Sequence, residues 1–240
     1  MAIVAIIPTD RELEKVLLAL TAAGHQTERT AERRLPLWRL PALDLHLALG
    51  GLGKAQFGVQ TQYLLDSHDW ELAICGGAAG ALVDTIVIGD VIVATETIEH
   101  DIRKVGRALV PRFGGDQVTL ARLKDAVTVV GAFGVHFGGI ASGDEDVVDV
   151  QRRAACREAT SALAVAWEGA GGARACAFSG VPFLEIRSIT DRADETGPKD
   201  FRLNLGAAMG NLAKVLTIVA GMAVQQRVAP DAGVIMCRRG

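Results

Sequence analysis

Cysteine is scarce in this sequence, and its placement excludes most of the chemistry that cysteine supports. The four cysteines lie far apart and follow no metal-ligand spacing: Cys75, Cys156, Cys176 and Cys237. We therefore expect free thiols in a reducing cytoplasm. No metal or organic cofactor is implied.

Long hydrophobic runs and an excess of positive charge are also absent. The apolar run Ala2–Ile7 is too short for a signal sequence, and no stretch reaches the roughly 18 uninterrupted apolar residues of a membrane span. The net charge of −3 and the pI of about 6.0 argue against a nucleic-acid-binding surface. We expect a soluble, cytoplasmic protein with neither a membrane nor a nucleic acid as partner.

The remaining composition is typical of one folded domain. Of the 240 residues, 50% are hydrophobic and 22% are charged, which is enough to bury a core. Because no linker, repeat or low-complexity segment divides the chain, residues 1–226 are predicted to form a single domain. Residues 227–240, which include Pro230, are predicted to form a frayed tail.

Apolar runs alternate with segments of helical periodicity along most of the chain. The predicted strands are Ala2–Ile7, Leu35–Leu40, Leu43–Leu49, Leu72–Cys75, Asp90–Thr97, Val127–Phe133, Val135–Ala141, Ala162–Ala166 and Pro182–Thr190. The predicted helices are Asp10–Ala22, Lys54–Leu65, Asp149–Thr160, Gly169–Phe178 and Asn204–Val224. This alternation predicts a mostly parallel or mixed sheet with helices on both faces.

Carboxylates and glycine turns follow several of the predicted strands, where open α/β sheets bind their ligands. These candidates are Glu12, the turns Gly50–Gly53 and Gly76–Gly80, Asp146, Glu168 and Asp191. Each also has a structural interpretation. Thr9 and Glu12 fit a capping box, Asp191 fits a helix N-cap or a turn, and Trp167 fits the core. The GGLGK turn matches neither the full Walker nor the dinucleotide pattern, so spacing alone leaves these alternatives open.

Taken in order, these segments resemble the purine/uridine phosphorylase superfamily, and above all its nucleosidase branch. That branch contains the 5′-methylthioadenosine/S-adenosylhomocysteine nucleosidases and the futalosine hydrolases. The segments are AIIPTDRELEKV, GGLGKAQFG, CGGAAGAL with IGDVIVAT, GGIASGDEDVV, AWEGAGGARAC and GVPFLEIRSITDRAD. They run from about Ile3 to Val224, and the last two are the most specific.

The resemblance implies a three-layer α/β/α nucleoside phosphorylase-like fold with a central mixed, largely parallel sheet. It also implies a homodimer or higher homo-oligomer, and roles for four residues. Asp191 would protonate purine N7, and Glu12 would activate water. Glu168 would bind the ribose 2′ and 3′ hydroxyls, and Arg187 would orient Glu12. The ligand implied is a purine nucleoside, and the reaction is hydrolysis of its N-glycosidic bond.

Physical chemistry agrees with these roles. Breaking the bond between C1′ and N9 builds positive charge on the ribose and negative charge on the base. An acid at N7 neutralises the leaving group, which is typically worth about 10²–10⁴-fold in rate. For this, Asp191 must hold a proton, so an apolar or carboxylate-rich pocket is expected to raise its pKa.

Water is favoured over phosphate as the nucleophile, because Glu12 would repel phosphate and the GGAAG segment lacks the serine of related phosphorylases. A phosphate-dependent phosphorylase is the first alternative. A nucleoside-binding protein without catalysis is the second.

Three positions depart from the nucleosidase pattern. Ala78 stands where nucleosidases have a serine nearby, Asp146 replaces a stacking phenylalanine, and Trp167 replaces a methionine. The backbone of Val147 would meet the base edge, and Gly77 with Ala78 would lie near the sugar and water. These departures fall where the substrate is recognised, so the bond cleaved is better supported than the nucleoside that carries it.

Overall fold

The computed structural model describes residues 2–30, 34–102, 110–127 and 133–228. The strands are β1 (Ala2–Ile7), β2 (Glu28–Thr30), β3 (Leu37–Leu40), β4 (Leu45–Leu49), β5 (Trp70–Ala81), β6 (Val91–Glu99), β7 (Arg112–Gly114), β8 (Val135–Ser142), β9 (Ala164–Ala166) and β10 (Phe183–Asp191). The helices are α1 (Asp10–Ala22), α2 (Gly53–Leu65), α3 (Gln117–Ala126), α4 (Val150–Thr160), α5 (Gly169–Ser179) and α6 (Gly197–Val228).

Within the described ranges the strands form one mixed sheet in the order β10-β6-β8-β9-β5-β1-β4-β3-β2, with β7 on β6. Strand β10 also pairs with β5, in parallel, so β5, β10, β6, β8 and β9 close into a small barrel. The predicted mixed, largely parallel sheet is confirmed. The closure of five strands into a barrel was not predicted, because the strand pattern of a sequence does not determine which strands become neighbours.

Helices cover both faces of the sheet, and β1 shows why its sequence is apolar throughout. Side chains alternate across a strand. Ile3, Ala5 and Ile7 therefore pack in the core that includes α1 and α6, whereas Val4 and Ile6 pack in the core that includes α2 and α5. The three predicted layers follow from this alternation.

Helix α6 is longer than the predicted Asn204–Val224, since it begins at Gly197 and continues to Val228. Pro198 stands in its first turn, where the missing N–H costs no hydrogen bond. By length and composition alone, this helix could cross a membrane, but half of its most apolar stretch is buried inside the fold. Its core stripe packs with β1 and β10, which accounts for its hydropathy.

Several predicted boundaries are wrong. The GGAAG segment is not a turn but the continuation of β5, because its backbone pairs with Ile186–Asp191 of β10. The strand predicted at Leu43–Leu49 begins at Leu45, since Pro41–Leu43 form a short 3₁₀ helix. Helix α3 and the three-residue strands β2 and β7 were not predicted. Most of the predicted strand Val127–Phe133 lies outside the described residues, and Val127 caps α3.

Candidate active site

A cavity of about 420 Å³ opens where β1, β5, β8, β9 and β10 end. Almost every residue predicted for the site lines it: Glu12, Ala78, Asp146, Val147, Trp167, Glu168, Arg187 and Asp191. Gly77 lies behind this wall, where its lack of a side chain matters. A Cβ on Gly77 would lie 2.7 Å from Arg187 Nη1 and 2.8 Å from Glu12 Oε1.

Glu12 is at once a helix-capping residue and a cavity residue. Its Oε2 accepts hydrogen bonds from the Thr9 hydroxyl (2.6 Å) and the Thr9 N–H (3.2 Å), which completes the capping box. Its Oε1 accepts from the Ala78 N–H at 2.7 Å. Burial raises the pKa of Glu12, and this outweighs those hydrogen bonds and the nearby Arg187 charge. The capping-box interpretation of Glu12 and its interpretation as a site residue are therefore compatible.

Arg187 has different partners from those predicted. Its guanidinium donates from Nε to Glu185 Oε1 at 2.9 Å and from Nη2 to Glu168 Oε2 at 3.1 Å. No ion pair joins it to Glu12 among the described residues, although its charge lowers the pKa of Glu12. Arg187 thus orients Glu168 directly and affects Glu12 only through space.

Glu168 is held from both sides. Besides the bond from Arg187, its Oε1 accepts from the Gly53 N–H at 3.3 Å. Gly53 has a φ of 76°, a left-handed conformation that glycine adopts without strain. The GGLGK turn therefore supports a carboxylate, and its Lys54 pairs with Glu99 and Asp101.

Glu185, a buried carboxyl group bonded to Arg187, is part of the site's support that the sequence analysis missed. It is fully buried, and its Oε2 accepts from the Thr97 hydroxyl at 2.6 Å. Burial raises the pKa of Glu185. The spacing of Glu185 and Arg187 offered a signal, because residues two apart in a strand share a face.

Asp191 closes β10 at the cavity wall. Its Oδ2 accepts from the Thr190 hydroxyl at 2.8 Å and its Oδ1 from the Ala193 N–H at 2.9 Å. Burial raises the pKa of Asp191 and outweighs both hydrogen bonds. Because α6 begins at Gly197, Asp191 is not its N-cap, although the bond from Ala193 makes it a turn residue.

The remaining wall combines apolar and polar groups. Trp167 is half-buried at the cavity, so it is not simply a core residue, and its carbonyl accepts from Ser142 at 2.7 Å. Val147 is buried and Asp146 is exposed. Phe201 of α6 supplies an aromatic ring that the sequence analysis missed, because it lies beyond the last strand-end motif.

The family model of the phosphorylase superfamily matches residues 2–220. The chain belongs to this superfamily. It is 28% identical over 205 residues to 5′-methylthioadenosine/S-adenosylhomocysteine nucleosidase of Shewanella sp. strain W3-18-1, covering 79% of this chain and 85% of the relative. The family resemblance found in the sequence is therefore confirmed.

Solved structures agree with the superfamily fold. The nucleosidase of the same name from Neisseria meningitidis, in complex with methylthio-immucillin-A, has a TM-score of 0.80 and 27% identity, covering 92% of this chain and 100% of that one. Futalosine hydrolase of Helicobacter pylori has a TM-score of 0.81 at 23% identity, covering 92% and 98%. The second likeness supports the fold alone.

Across the described part of the chain, no group of three His, Cys, Asp or Glu side chains is placed to hold a metal ion. Cys75, Cys156 and Cys176 are buried and unbridged there, and Cys237 lies outside the described residues. Cys75 Sγ lies 3.2 Å from Arg187 Nη2, beneath the cavity. Burial raises the pKa of the Cys75 thiol, so it stays protonated.

Proposed function

We propose that this chain hydrolyses the N-glycosidic bond of a purine nucleoside, with Asp191 as the acid, Glu12 as the base and Glu168 as the ribose ligand. The observation that carries the proposal is the meeting of these three carboxylates, from separate segments of the chain, in one cavity. Burial raises the pKa of both Asp191 and Glu12, as acid–base groups require. Relatives named as nucleosidases support the same reaction.

Each carboxylate has one task. Asp191, half-buried at the end of β10, donates a proton to purine N7 as the bond to C1′ breaks. Glu12 takes a proton from the water that attacks C1′, and its negative charge favours the oxocarbenium-like sugar. This is the two-carboxylate arrangement of inverting glycosidases applied to a nitrogen leaving group. The products are the free purine and the ribose.

Glu168 fixes the sugar relative to both groups. A carboxylate can accept hydrogen bonds from two vicinal hydroxyls, which suits the 2′ and 3′ positions. Arg187 and the Gly53 N–H hold Glu168 in place, so little rotamer freedom is lost when the nucleoside binds. Trp167, beside Glu168 in the chain, offers a flat apolar surface to the sugar or its 5′ substituent.

Water fits the nucleophile position better than phosphate. Glu12 would repel a phosphate dianion, and the Ala78 N–H is already donated to Glu12. Arg187 is engaged by Glu168 and Glu185. A phosphorylase is the second candidate, because Arg11 lines the cavity next to Glu12. A non-catalytic nucleoside-binding protein is the third, because Ala78 and Asp146 lack the expected hydroxyl and aromatic ring.

Phosphate dependence distinguishes these candidates. Purified protein is incubated with purine nucleosides in phosphate-free buffer and, in parallel, with added phosphate, and free base and sugar products are measured. The proposal predicts base release and free ribose in both buffers. Release that requires phosphate and yields ribose 1-phosphate assigns the phosphorylase. Tight binding of one nucleoside without turnover of any assigns the binding protein.

Four further properties belong to the same proposal. The first substrates to assay are 5′-thio-substituted adenosines, since the relatives are named for 5′-methylthioadenosine and S-adenosylhomocysteine. The enzyme is proposed to act in the cytoplasm as a homodimer or higher homo-oligomer. It is proposed to need no cofactor, because both proton transfers have a carboxylate at hand.

A further inference from the structure

Helix α2 begins without a capping side chain of its own. Its N-cap residue, Leu52, makes no side-chain hydrogen bond to the helix, so the first N–H groups of α2 need partners from elsewhere. The Gly53 N–H donates to Glu168 Oε1 at 3.3 Å. The Lys54 N–H donates to Asp144 Oδ1 at 2.7 Å. Two carboxylates that are distant in sequence therefore cap this helix, and one of them is the proposed ribose ligand.

Asp101, just beyond the end of β6, is bonded to both partners of the second of these hydrogen bonds. Its Oδ1 accepts from Lys54 Nζ at 2.5 Å, and its Oδ2 accepts from the Asp144 N–H at 2.9 Å. With the bond from the Lys54 N–H to Asp144, these contacts form a closed ring of three residues, Lys54, Asp101 and Asp144, which we name the clamp. Each member is held by the other two, so the clamp fixes the start of α2 relative to β6 and to the loop after β8.

The charges of the clamp are anchored to a buried carboxylate. Lys54 Nζ also donates to Glu99 Oε1 at 2.9 Å, and the other oxygen of Glu99 accepts from Arg174 Nε at 3.1 Å. The side chains of Lys54 and Glu99 are mostly buried, so solvent screens this pair less than it screens a surface ion pair. Desolvation alone would raise the pKa of Asp101, but the hydrogen bonds from Lys54 and from the Asp144 N–H lower it. Asp101 is therefore ionised within the clamp.

The start of α2 is packed tightly on two sides. A Cβ on Gly53 would lie 3.1 Å from Asp144 Oδ1, which is closer than most Cβ contacts in proteins. A Cβ on Gly171 of α5 would lie 2.2 Å from the Lys54 carbonyl oxygen. The first residues of α2 therefore lie between the clamp and α5, and Glu168 is the residue immediately before α5.

The clamp acts on the nucleoside site only through other residues. All three of its members lie outside the described residues that line the cavity, whereas Glu168 lines it. Residues 145–148, which follow Asp144, line the cavity too, and they offer one route to the site. The more direct route is through Gly53, because it is the chain neighbour of Lys54 and its N–H bonds Glu168.

We propose that the members of the clamp are positioning residues for Glu168, and that they thereby set how strongly the enzyme binds the ribose 2′ and 3′ hydroxyls. This inference rests on the proposed function, in which Glu168 is the ribose ligand. With the clamp intact, the Gly53 N–H holds one oxygen of Glu168 and Arg187 holds the other, so the carboxylate is oriented before the nucleoside binds. Without the clamp, the start of α2 loses a cap, and Glu168 loses the support on its Gly53 side.

Two substrates that differ only in the 3′ hydroxyl isolate this role. They are 5′-methylthioadenosine and its 3′-deoxy counterpart, and the ratio of their kcat/KM values is the diol preference. Asp144→Ala and Lys54→Met are each expected to lower the diol preference by about three- to tenfold, because each removes a hydrogen bond to a charged group from the clamp. A merely structural defect lowers the amount of active protein, which reduces both rates equally and leaves the ratio unchanged.

Conservative and distant variants serve as controls. Asp144→Asn keeps a carbonyl oxygen that can accept from the Lys54 N–H, so it should restore most of the diol preference that Asp144→Ala loses. Asp101→Asn replaces one accepting oxygen by an amide donor, so it should lower the preference without a cavity, which provides the readout if truncation impairs folding. Glu96→Ala is the matched control, because Glu96 lies on β6 and pairs with Arg112 outside the clamp. It should leave the preference unchanged.

Failure of the clamp proposal is distinguishable from failure of the proposed function. If the wild type cleaves both substrates without a diol preference, or if the folded clamp variants keep the preference, the clamp proposal is overturned and the proposed hydrolysis stands. If the wild type cleaves no nucleoside, the proposed function fails. Calorimetry with uncleavable C-nucleoside counterparts of the same pair then tests the clamp separately. A diol preference in binding that the clamp variants lose supports the proposal, and an absent or unchanged preference overturns it.

Discussion

At the scale of single residues, the proposed mechanism depends on two carboxyl groups that must hold opposite protonation states, the buried Glu12 and the half-buried Asp191. Asp191 has to keep its proton until the purine leaves, whereas Glu12 has to be ionised to accept one from water. Burial raises the pKa of each above its ordinary value of 3.8 and 4.5, respectively. The same desolvation therefore helps the acid directly and makes the base stronger once it is ionised.

The pH dependence of turnover follows from these shifts. As pH falls through the raised pKa of Glu12, the base becomes protonated and kcat/KM declines. As pH rises through the raised pKa of Asp191, the acid ionises and kcat/KM declines again. We expect a bell-shaped profile with both limbs at higher pH than exposed carboxyl groups would give, measured by initial rates of base release.

The variant Asp191→Asn tests whether the ionisation of Asp191 causes the alkaline limb of that profile. The residual activity of Asp191→Asn should lose the alkaline limb and keep the acid limb, because asparagine does not titrate and Glu12 is intact. An alkaline limb that persists in the variant would assign that ionisation to another group.

Sequence patterns identified those site residues that lie within a recognisable local motif. Glu12, Glu168 and Asp191 each follow a strand within a recognisable segment, and all three reach the cavity. Glu185 was missed because its neighbours are apolar and its partner Thr97 is 88 residues away. The ion pairs of Arg187 with Glu168 and Glu185 were not predicted, since they depend on how β10 and α5 meet.

At the scale of elements, α5 and β10 approach so closely that one glycine decides the contact. A Cβ on Gly169, the first residue of α5, would lie 2.1 Å from Glu185 Oε2. Glu185 cannot move easily, because it is fully buried and bonded to Thr97 and Arg187. The carboxylate of Glu185 therefore fits beneath the site only because residue 169 has no side chain.

Gly169→Ala should lower the free energy of unfolding by about 1–3 kcal/mol, the usual result of overpacking a buried site. Chemical denaturation measures the change. The matched control is Gly206→Ala in α6, where a Cβ meets nothing within 4 Å and stability should rise by about 0.4–1 kcal/mol. Gly169→Ala protein as stable as wild type would show that Glu185 is not packed as described.

Helices with strong hydrophobic periodicity were predicted with nearly correct bounds, whereas a helix with weak periodicity was missed. Helix α1 was predicted at its observed bounds, since Leu13, Val16 and Leu20 mark its buried stripe. Helix α3 was missed because Leu120 and Leu123 are its only buried residues. The extension of β5 through GGAAG was missed because glycine normally breaks strands, whereas here pairing with β10 on one side overrides that tendency.

At the scale of the whole molecule, barrel closure assembles the site. Pairing of β10 with both β5 and β6 brings Ala78, Glu168 and Asp191 to one wall, although they span more than a hundred residues of sequence. The family resemblance predicted the layers and the mixed sheet. Which strands close the barrel depends on contacts distant in sequence, so periodicity alone could not predict it.

The oligomeric state is also a property of the whole molecule. Leu52 and Val148 line the cavity and are 54% and 37% exposed, and Val150 nearby is 46% exposed. Apolar side chains at the mouth of a cavity are typical of a surface that another subunit covers. We expect light scattering to give twice the 25.3 kDa chain mass or a higher multiple of it. A mass of one chain at every concentration would exclude the proposed homo-oligomer.

The most direct test of the whole account is the turnover of purine nucleosides by wild-type protein and by Asp191→Asn in phosphate-free buffer. The account predicts base release by the wild type and a loss of about 10²–10⁴-fold in kcat for the variant, whose amide cannot protonate N7. Circular dichroism of the variant serves as the folding control. Release by the folded variant at nearly the wild-type rate would contradict the assignment of Asp191 as the leaving-group acid.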